Sequence, residues 1–402
     1  MIENHAHLNS DEDGLISKNK NEVSQNLIEN YLTNFSLPEG IAVNFLINGK
    51  DYLVPMVTEE PSVVAAASNG AKMLSQNNGI SAEVINKLVD GEMIFKVSDK
   101  LGFENFIKDH KSEIIKIANQ SHPSALKHGD GAQKICTRSI SSNYLAVDMS
   151  LDAGESMGAN TLNTMLEACS KFIAKKTDSQ LLMAILTNYS AHALVKVVGK
   201  VSFDHLAKSK KAGKMVAQRI AEASEIAQLD IKRATTHNKG IMNGIDAVAM
   251  AFGNDFRALE AALHSFAANS EKYHGISTWE VQREFLVGKM TIPIPVGFVG
   301  GATSVLPLVE VNKKIAGIKN VKEEMKVIAS VGLAQNLAAL KALVSEGIQK
   351  GHMNLQLKSM ALANGAKPKE VDQVVAELRK QSSVDARSAK KIIRMIRSGK
   401  RE

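Results

Sequence analysis

Only two cysteines, Cys136 and Cys169, occur in 402 residues. That is too few for a disulfide scaffold or a cysteine-built zinc cluster, so a reducing cytoplasmic setting without a bound metal is expected. Aromatic residues are scarce at 4%, and the core must come from Ala, Val, Ile, Leu and 16 Met. No stretch approaches the roughly 18 consecutive apolar residues of a membrane span. The opening text MIENHAHLNSDEDG has neither a basic start nor an apolar h-region, so no signal peptide is expected. There is no G-x-G-x-x-G after a strand, no G-x-x-x-x-G-K-[ST], no H-E-x-x-H and no G-x-S-x-G. A Rossmann site, a P-loop, a zinc peptidase and an α/β-hydrolase are thereby disfavoured.

What is present is an ordinary globular composition, 44% hydrophobic and 23% charged. The length predicts two or three domains. The net charge of +7 is concentrated rather than spread. Residues 379–402 hold nine of the 49 Lys and Arg but two of the 42 Asp and Glu, which leaves 40 of each sign elsewhere. The tail text VDARSAKKIIRMIRSGKRE sets Ile392, Ile393 and Ile396 opposite its cations. An amphipathic helix of this kind suits a nucleic acid or a membrane surface, or the edge of a site for polyanions. Without stacking aromatics or base-reading motifs, neither a nucleic-acid nor a membrane partner is expected.

Along the chain, residues 1–25 read as a loose leader or frayed helix and NLIENYLTNF as helix-like. IAVNFLINGKDYLVPMV reads as two strands around Asn48-Gly49, a hairpin signal. After Glu59-Glu60-Pro61-Ser62, the small-residue text VVAAASNGAKML opens a helix behind Pro61. Residues 90–150 mix short strands with a helix near 103–119, and HPSALKHGDGA reads as a loop. LAVDMSLDAGESMGAN followed by TLNTMLEACSKFIAK gives strand, polar turn and helix start, an order that presents backbone N–H groups to an anion. Residues 215–233 are helical, ATTHNKG reads as a polar knot, and two helices follow, interrupted at Gly253-Asn254-Asp255. A further long helical stretch breaks at Gly351 and ends at Gly365, ahead of a small C-terminal helical unit.

Four polar islands stand in apolar, small-residue surroundings: Glu59-Glu60-Pro61-Ser62, His237-Asn238-Lys239-Gly240, Gly253-Asn254-Asp255 and Gly351-His352-Met353. A lysine beside a carboxylate can hold an oxyanion, a glutamate can act as general acid, and a histidine can protonate a leaving thiolate. Taken singly, each has a plainer reading. Glu60 suits a helix N-terminus, Lys239 a solvated surface, Asp255 a helix cap and His352 an exposed site. Only a joint pattern would outweigh those readings.

In this order, FSLPEGIAVNFLINGKDYLVPMVTEEPSVVAAAS, MGANTLNTM, ATTHNKGIMNGIDAVAMAFGND, PVGFVGGATSVLPL and GLAQNLAALKALVSEGIQKGHM resemble the bacterial-type (class II) 3-hydroxy-3-methylglutaryl-CoA reductases over residues 26–402. The resemblance implies a reversible four-electron reduction of hydroxymethylglutaryl-CoA to mevalonate and CoA with two reduced nicotinamides. Lys239 corresponds to the oxyanion-holding lysine, Asp255 to its hydrogen-bonded partner, Glu60 to a proton donor and His352 to the acid that protonates the CoA thiolate. Ser62, Arg233, Asn243 and Gln335 fall on substrate contacts. Glu155, Met157, Gly158, Ala159, Asn160 and Asn188 fall on cofactor contacts.

The implied fold is α+β: a large helical substrate-binding domain with an inserted ferredoxin-like, non-Rossmann cofactor domain and a C-terminal helical flap. The expected boundaries are 1–88 and 188–348 for the large domain, 89–187 for the cofactor domain and 349–402 for the flap. A homodimer with active sites at its interface is implied, with a hexamer left open. The resemblance reads the basic tail as the end of the flap, near polyanionic CoA and cofactor.

The chain departs from the family pattern in three places. Glu155-Ser156 stands where D-A is usual before M-G-A-N, Gly129-Asp130-Gly131 replaces a triple glycine, and the leader is altered at Tyr31-Leu32-Thr33. The loop His122-Pro123-Ser124 to Lys127-His128 has no acid before Asp130 to repel a 2′-phosphate, which favours NADPH over NADH. These departures leave one alternative open, a catalytically silent paralogue that binds CoA esters.

Overall fold

A computed structural model describes residues 5–269, 272–345, 357–381 and 384–398. The Asn48-Gly49 hairpin joins β1 (Glu39–Ile47) to β2 (Lys50–Val57), with Ile47 opposite Lys50. Asn48 and Gly49 have φ of 49° and 80°, the two left-handed residues that match a two-residue turn to the twist of its strands. β3 (Ile80–Val84), β8 (Leu194–Ser202), β9 (Ser277–Gln282) and β10 (Phe285–Pro293) complete a six-stranded sheet in the order β2-β1-β3-β8-β10-β9.

Between β3 and β8 the chain leaves this sheet and builds another. The sequence of elements is β4 (Val89–Lys96), α3 (Lys100–Asp109) with α4 (Lys111–Ser121), β5 (Gly131–Ser139), β6 (Tyr144–Asp152), α5 (Ala159–Thr177) and β7 (Gln180–Leu186). The strands order as β5-β6-β4-β7, every neighbour antiparallel. The chain then returns to the first sheet, where Val84 faces Val195. Burial alternates residue by residue along β4, with one face packed and the other half-exposed, as in a sheet covered by helices on one side.

The larger apolar core gathers β1–β3 and β8–β10 with α2 (Val63–Ser75), α6 (Lys210–Leu229), α7 (Ile231–Ala251), α8 (Phe256–Ala267), α9 (Pro307–Ala316) and α10 (Val321–Val344). A second cluster, from Val89 to Leu186, belongs to the inserted sheet and its helices. By length and composition α10 could cross a bilayer, but 72% of its most apolar window is buried among neighbouring elements, as befits a central core helix. A third cluster joins Leu357 and Ala361 to α11 (Val371–Leu378) and α12 (Ala386–Arg397). Ile392 and Ile393 of α12 are buried there, and Arg397 clamps Glu370 at 2.8 Å. The apolar face of the basic tail is therefore consumed within the chain.

Three sequence expectations need correction. NLIENYLTNF is not helical: helix ends at Gln25, and Asn30 takes a left-handed φ of 52°. Asparagine side chains compete for local backbone groups, and Asn26 Nδ2 binds the Glu22 carbonyl at 2.9 Å. The leader itself carries a capped helix, α1 (Ser10–Lys18), closed by Asn9 and Glu12. HPSALKHGDGA contains a short helix, Ala125–His128. The ATTHNKG knot is not a break at all. The break lies earlier, at Asp230, whose carboxylate caps α7 by accepting from Arg233 N at 2.9 Å, and the polar text continues as helix.

Candidate active site

Because α7 runs unbroken, its helical period sorts the HNKG island into two faces. His237 and Asn238 point inward, at 1% exposure each. His237 Nε2 lies 2.7 Å from Ser277 Oγ, and Asn238 donates to the His274 carbonyl and accepts from Ile276 N. Burial, aided by Arg233, pushes the His237 pKa down to about 4, so this imidazole is a neutral fastening to β9. Lys239 faces outward. Asn243 and Asp246, four and seven residues on, share its stripe.

Lys239 Nζ donates to Glu60 Oε2 at 2.8 Å, and Asn243 Nδ2 donates to Glu60 Oε1 at 3.3 Å. Glu60 arrives from the turn between β2 and α2, so residues 179 apart in sequence meet. Two positions further on, Ser62 begins α2 with a left-handed φ of 77°, a costly conformation for a residue with a side chain. Its hydroxyl is buried without a partner, and so is the Gln335 side-chain oxygen on α10. Gln335 packs over Gly244, next to Asn243. Unpaired buried polar atoms are rare, and two of them fall on positions expected to touch substrate.

Asp255 departs from expectation. It caps α8, accepting from Arg257 N at 3.0 Å and Ala258 N at 3.2 Å, and it holds the Arg257 guanidinium at 3.0 and 3.2 Å. Burial opposes its charge, but Arg257 and the helix amides together hold its carboxyl below the usual range. In this structure Lys239 is bonded to Glu60, and Asp255 to Arg257. The arginine two residues after the GND turn was a partner that sequence reasoning missed.

Beside Asp255 lies a cleft of about 480 Å³, lined by Ser156–Thr161, Gly253–Arg257 and the Gly297–Thr303 loop, without Phe298. Met157, Gly158, Ala159 and Asn160 thus face it from the start of α5, where free backbone N–H groups favour an anion. Gly158 has φ 89°, and a Cβ there would stand 2.4 Å from that of Ala153, so the turn accepts only glycine.

Glu155 plays a different part. Its Oε2 accepts from Val321 N at 2.7 Å, tying the cofactor-side turn to the start of α10. Its carbonyl accepts from Phe298 N at 2.7 Å. Lys313 donates to the Phe298 carbonyl, and Asn254 bridges Gly297 N at 2.9 Å to the Glu324 carboxyl. Glu324 is fully buried, and burial lifts its pKa to about 8 against the pull of Lys313 and Asn254. This buried lattice fixes the GND turn and the Gly297 loop on two sides of the cleft.

Other expected residues stand apart. Asn188 is exposed in the turn between β7 and β8 and does not line the cleft. Arg233 is half-buried off the Lys239 stripe. Asp130 is exposed. His352 lies outside the described residues. No group of three His, Cys, Asp or Glu capable of holding a metal occurs among the described residues.

Comparison with known proteins adds an independent line. The profile of the hydroxymethylglutaryl-coenzyme A reductase family matches residues 2–357. The 3-hydroxy-3-methylglutaryl-coenzyme A reductase of Archaeoglobus fulgidus is 41% identical over 382 residues, 94% of this chain and 86% of its own. A probable enzyme of the same name from Borreliella burgdorferi is 34% identical over 92% of this chain and 87% of its own. A solved class II 3-hydroxy-3-methylglutaryl-CoA reductase from Streptococcus pneumoniae, bound to NADPH in open conformations, has a TM-score of 0.80 and 40% identity, covering 98% of each chain.

Proposed function

The chain belongs to the hydroxymethylglutaryl-coenzyme A reductase family, of the bacterial class II type, and from that membership we propose the division of labour within its site. The enzyme reduces 3-hydroxy-3-methylglutaryl-CoA to mevalonate and CoA, using a reduced nicotinamide. The observation that carries the assignment of residues is the meeting of Lys239, Glu60 and Asn243 beside the unpaired polar atoms of Ser62 and Gln335.

The cofactor, when bound, supplies hydride in each of two reductions. The α5 amides at Met157–Asn160 would hold its anionic portion, and the fit rests on a glycine-only turn at a helix start beside a cleft of about 480 Å³. Lys239 places its ammonium where negative charge develops on the thioester oxygen and then on the aldehyde oxygen. Glu60, beside that ammonium, takes up a proton and in its protonated form delivers it in the aldehyde step. Asp255 exchanges Arg257 for Lys239 when the site closes on substrate. His352 protonates the departing thiolate. Ser62, Arg233, Asn243 and Gln335 orient the acyl portion, and Asn188 contacts the cofactor from the β7–β8 turn.

The inserted unit, with its β-α-β-β-α-β order and β5-β6-β4-β7 sheet, is a ferredoxin-like cofactor domain spanning 89–187. Residues 1–88 and 188–348 form the large domain, and 349–402 a flap that carries His352 over the site. A homodimer is supported by an exposed apolar stripe on α9, where Leu308 and Val311 remain 63% and 47% exposed with Ile315 beside them. NADPH is the preferred nicotinamide because no acid precedes Asp130 in its loop.

The test is nicotinamide absorbance with hydroxymethylglutaryl-CoA, run in parallel with NADPH and NADH. Faster consumption of NADPH is expected. A higher catalytic efficiency with NADH would remove the preference, and silence with both in folded dimer would favour the CoA-ester-binding paralogue.

A further inference from the structure

Past Lys239 and Asn243, the outward stripe of α7 ends on a carboxyl that the mechanism above leaves unused. Asp246 is half-buried, its Oδ1 has no partner, and its carboxyl is hydrogen-bonded to that of Glu260 on α8. Two carboxyl groups in contact cannot both ionise cheaply, so the pair retains a proton. Burial and then Glu260 raise the Asp246 pKa. His264 and then Asp246 hold that of Glu260 down.

The pair continues outward as a chain. Glu260 Oε2 lies 2.7 Å from His264 Nε2 one turn along α8, and His264 Nδ1 lies 2.6 Å from the Tyr273 hydroxyl. The His264 and Tyr273 rings stack at 5.9 Å, and Tyr273 directly precedes His274, whose carbonyl accepts from Asn238, the residue before Lys239. At the other end, the Lys239 charge acts on both carboxyls. The groups facing the pair are thus Lys239 from its own helix and Glu260 with His264 from α8, backed by Tyr273 from the following loop.

A helix-to-helix fastening alone does not call for this composition. An amide against a carboxylate would join α7 to α8 without a shared proton. Moreover, Glu260 and His264 remain 36% and 37% exposed at the side chain, so the outer end of the chain touches water while Asp246 Oδ1 is buried.

We propose that Asp246 and Glu260 are positioning residues for the reduction, a proton-sharing pair that sets the charge beside Lys239 and exchanges its proton with solvent through His264 and Tyr273. This rests on the reductase reading above. With one proton the pair carries a single negative charge, which steadies the ammonium without neutralising it. Loss of that proton to water leaves two carboxylates, Asp246 on the Lys239 stripe and Glu260 against it from α8. They draw the ammonium back and weaken its field at the developing oxyanion.

The test is the pH dependence of kcat with hydroxymethylglutaryl-CoA and saturating NADPH, in the full-length protein and in Asp246→Asn. Between about pH 7 and about pH 9.5 the unsubstituted enzyme should lose roughly tenfold or more in kcat, with KM for the thioester little changed. Asp246→Asn, which mimics the protonated acid and cannot ionise, should lose that alkaline limb. Glu260→Gln should do the same and stands in if the first variant fails to fold. A limb retained in either folded variant would overturn the proposal, as would a loss of rate that is equal at every pH. Infrared spectroscopy adds a readout without turnover. In a Glu324→Gln background, which removes the other raised carboxyl, a protonated-carboxyl band should bleach over the same range and be missing once Asp246→Asn or Glu260→Gln is added, and its persistence there would also overturn the proposal. An unsubstituted enzyme inert toward the thioester would instead overturn the reductase reading, while the infrared band would still test the shared proton.

Discussion

Lys239 and Glu60 meet with 60% and 41% of their side-chain surfaces exposed, whereas Glu324, joined to Asn254 behind the GND turn, is fully buried. Both networks are polar and both draw together residues distant in sequence. The open one leaves donors and acceptors unspent: a lysine with one carboxylate, and Ser62 and Gln335 oxygens with no partner. The closed one spends most of its groups on backbone amides and carbonyls of the Gly297 loop and the α10 start, with one buried Glu324 oxygen left over. Groups that must act on a ligand stay accessible to it, and groups that hold the walls are taken out of water. The contrast predicts that damage to the first region abolishes turnover at little cost in stability, and damage to the second does the reverse.

The largest effect should come from Lys239→Ala. Loss of the ammonium should reduce kcat by about a thousandfold or more, with thermal stability nearly unchanged because an exposed ion pair contributes little. A large drop in Tm would break the comparison. Next, Glu324→Ala should destabilise the fold by about 2–4 kcal/mol, since it leaves a cavity and an unpaired Asn254 amide, as denaturant titration would measure.

A subtler version keeps the shape and removes the ability to ionise. Glu324 is protonated in the fold up to about pH 8, whereas in the unfolded chain it ionises near 4.5. Between those values the folded state binds the extra proton, so this group's contribution to stability falls as pH rises through that window. Glu324→Gln should flatten that decline by ~2 kcal/mol or more, read from urea midpoints at about pH 5 and about pH 8. The smallest effect should follow Arg257→Ala. The pair with Asp255 is largely exposed, so stability should change by less than about 1 kcal/mol. Freed from Arg257, Asp255 should serve Lys239 no worse, and a kcat held within a few-fold would sharpen the exchange proposed for it. Loss comparable to Lys239→Ala would show that Arg257 itself acts on the ligand.

Local chemistry was readable wherever neighbours in sequence are also the physical cause. Asn48-Gly49 wrote its own hairpin, and the M-G-A-N turn its helix start. The ATTHNKG text misled because its polarity looks like a loop when read linearly. On a helix those residues divide between a buried face that fastens β9 and an outward face that carries Lys239. Arg257 and Glu324 carried no motif. Their significance comes from Asp255 and Asn254, and for Glu324 from burial that only packing imposes.

The sequence by itself determined the residue types of the site, the turns and helix caps that frame them, and the family to which they belong, because each depends on local backbone preference or on identity. The tertiary structure alone decided that Glu60 rather than Asp255 bonds to Lys239, that Glu155 caps α10, and that Asp246 and Glu260 touch. Those outcomes depend on distances between side chains on separate elements. Such distances follow from how α7, α8 and α10 pack, a property of the assembled core that no single stretch of the chain contains.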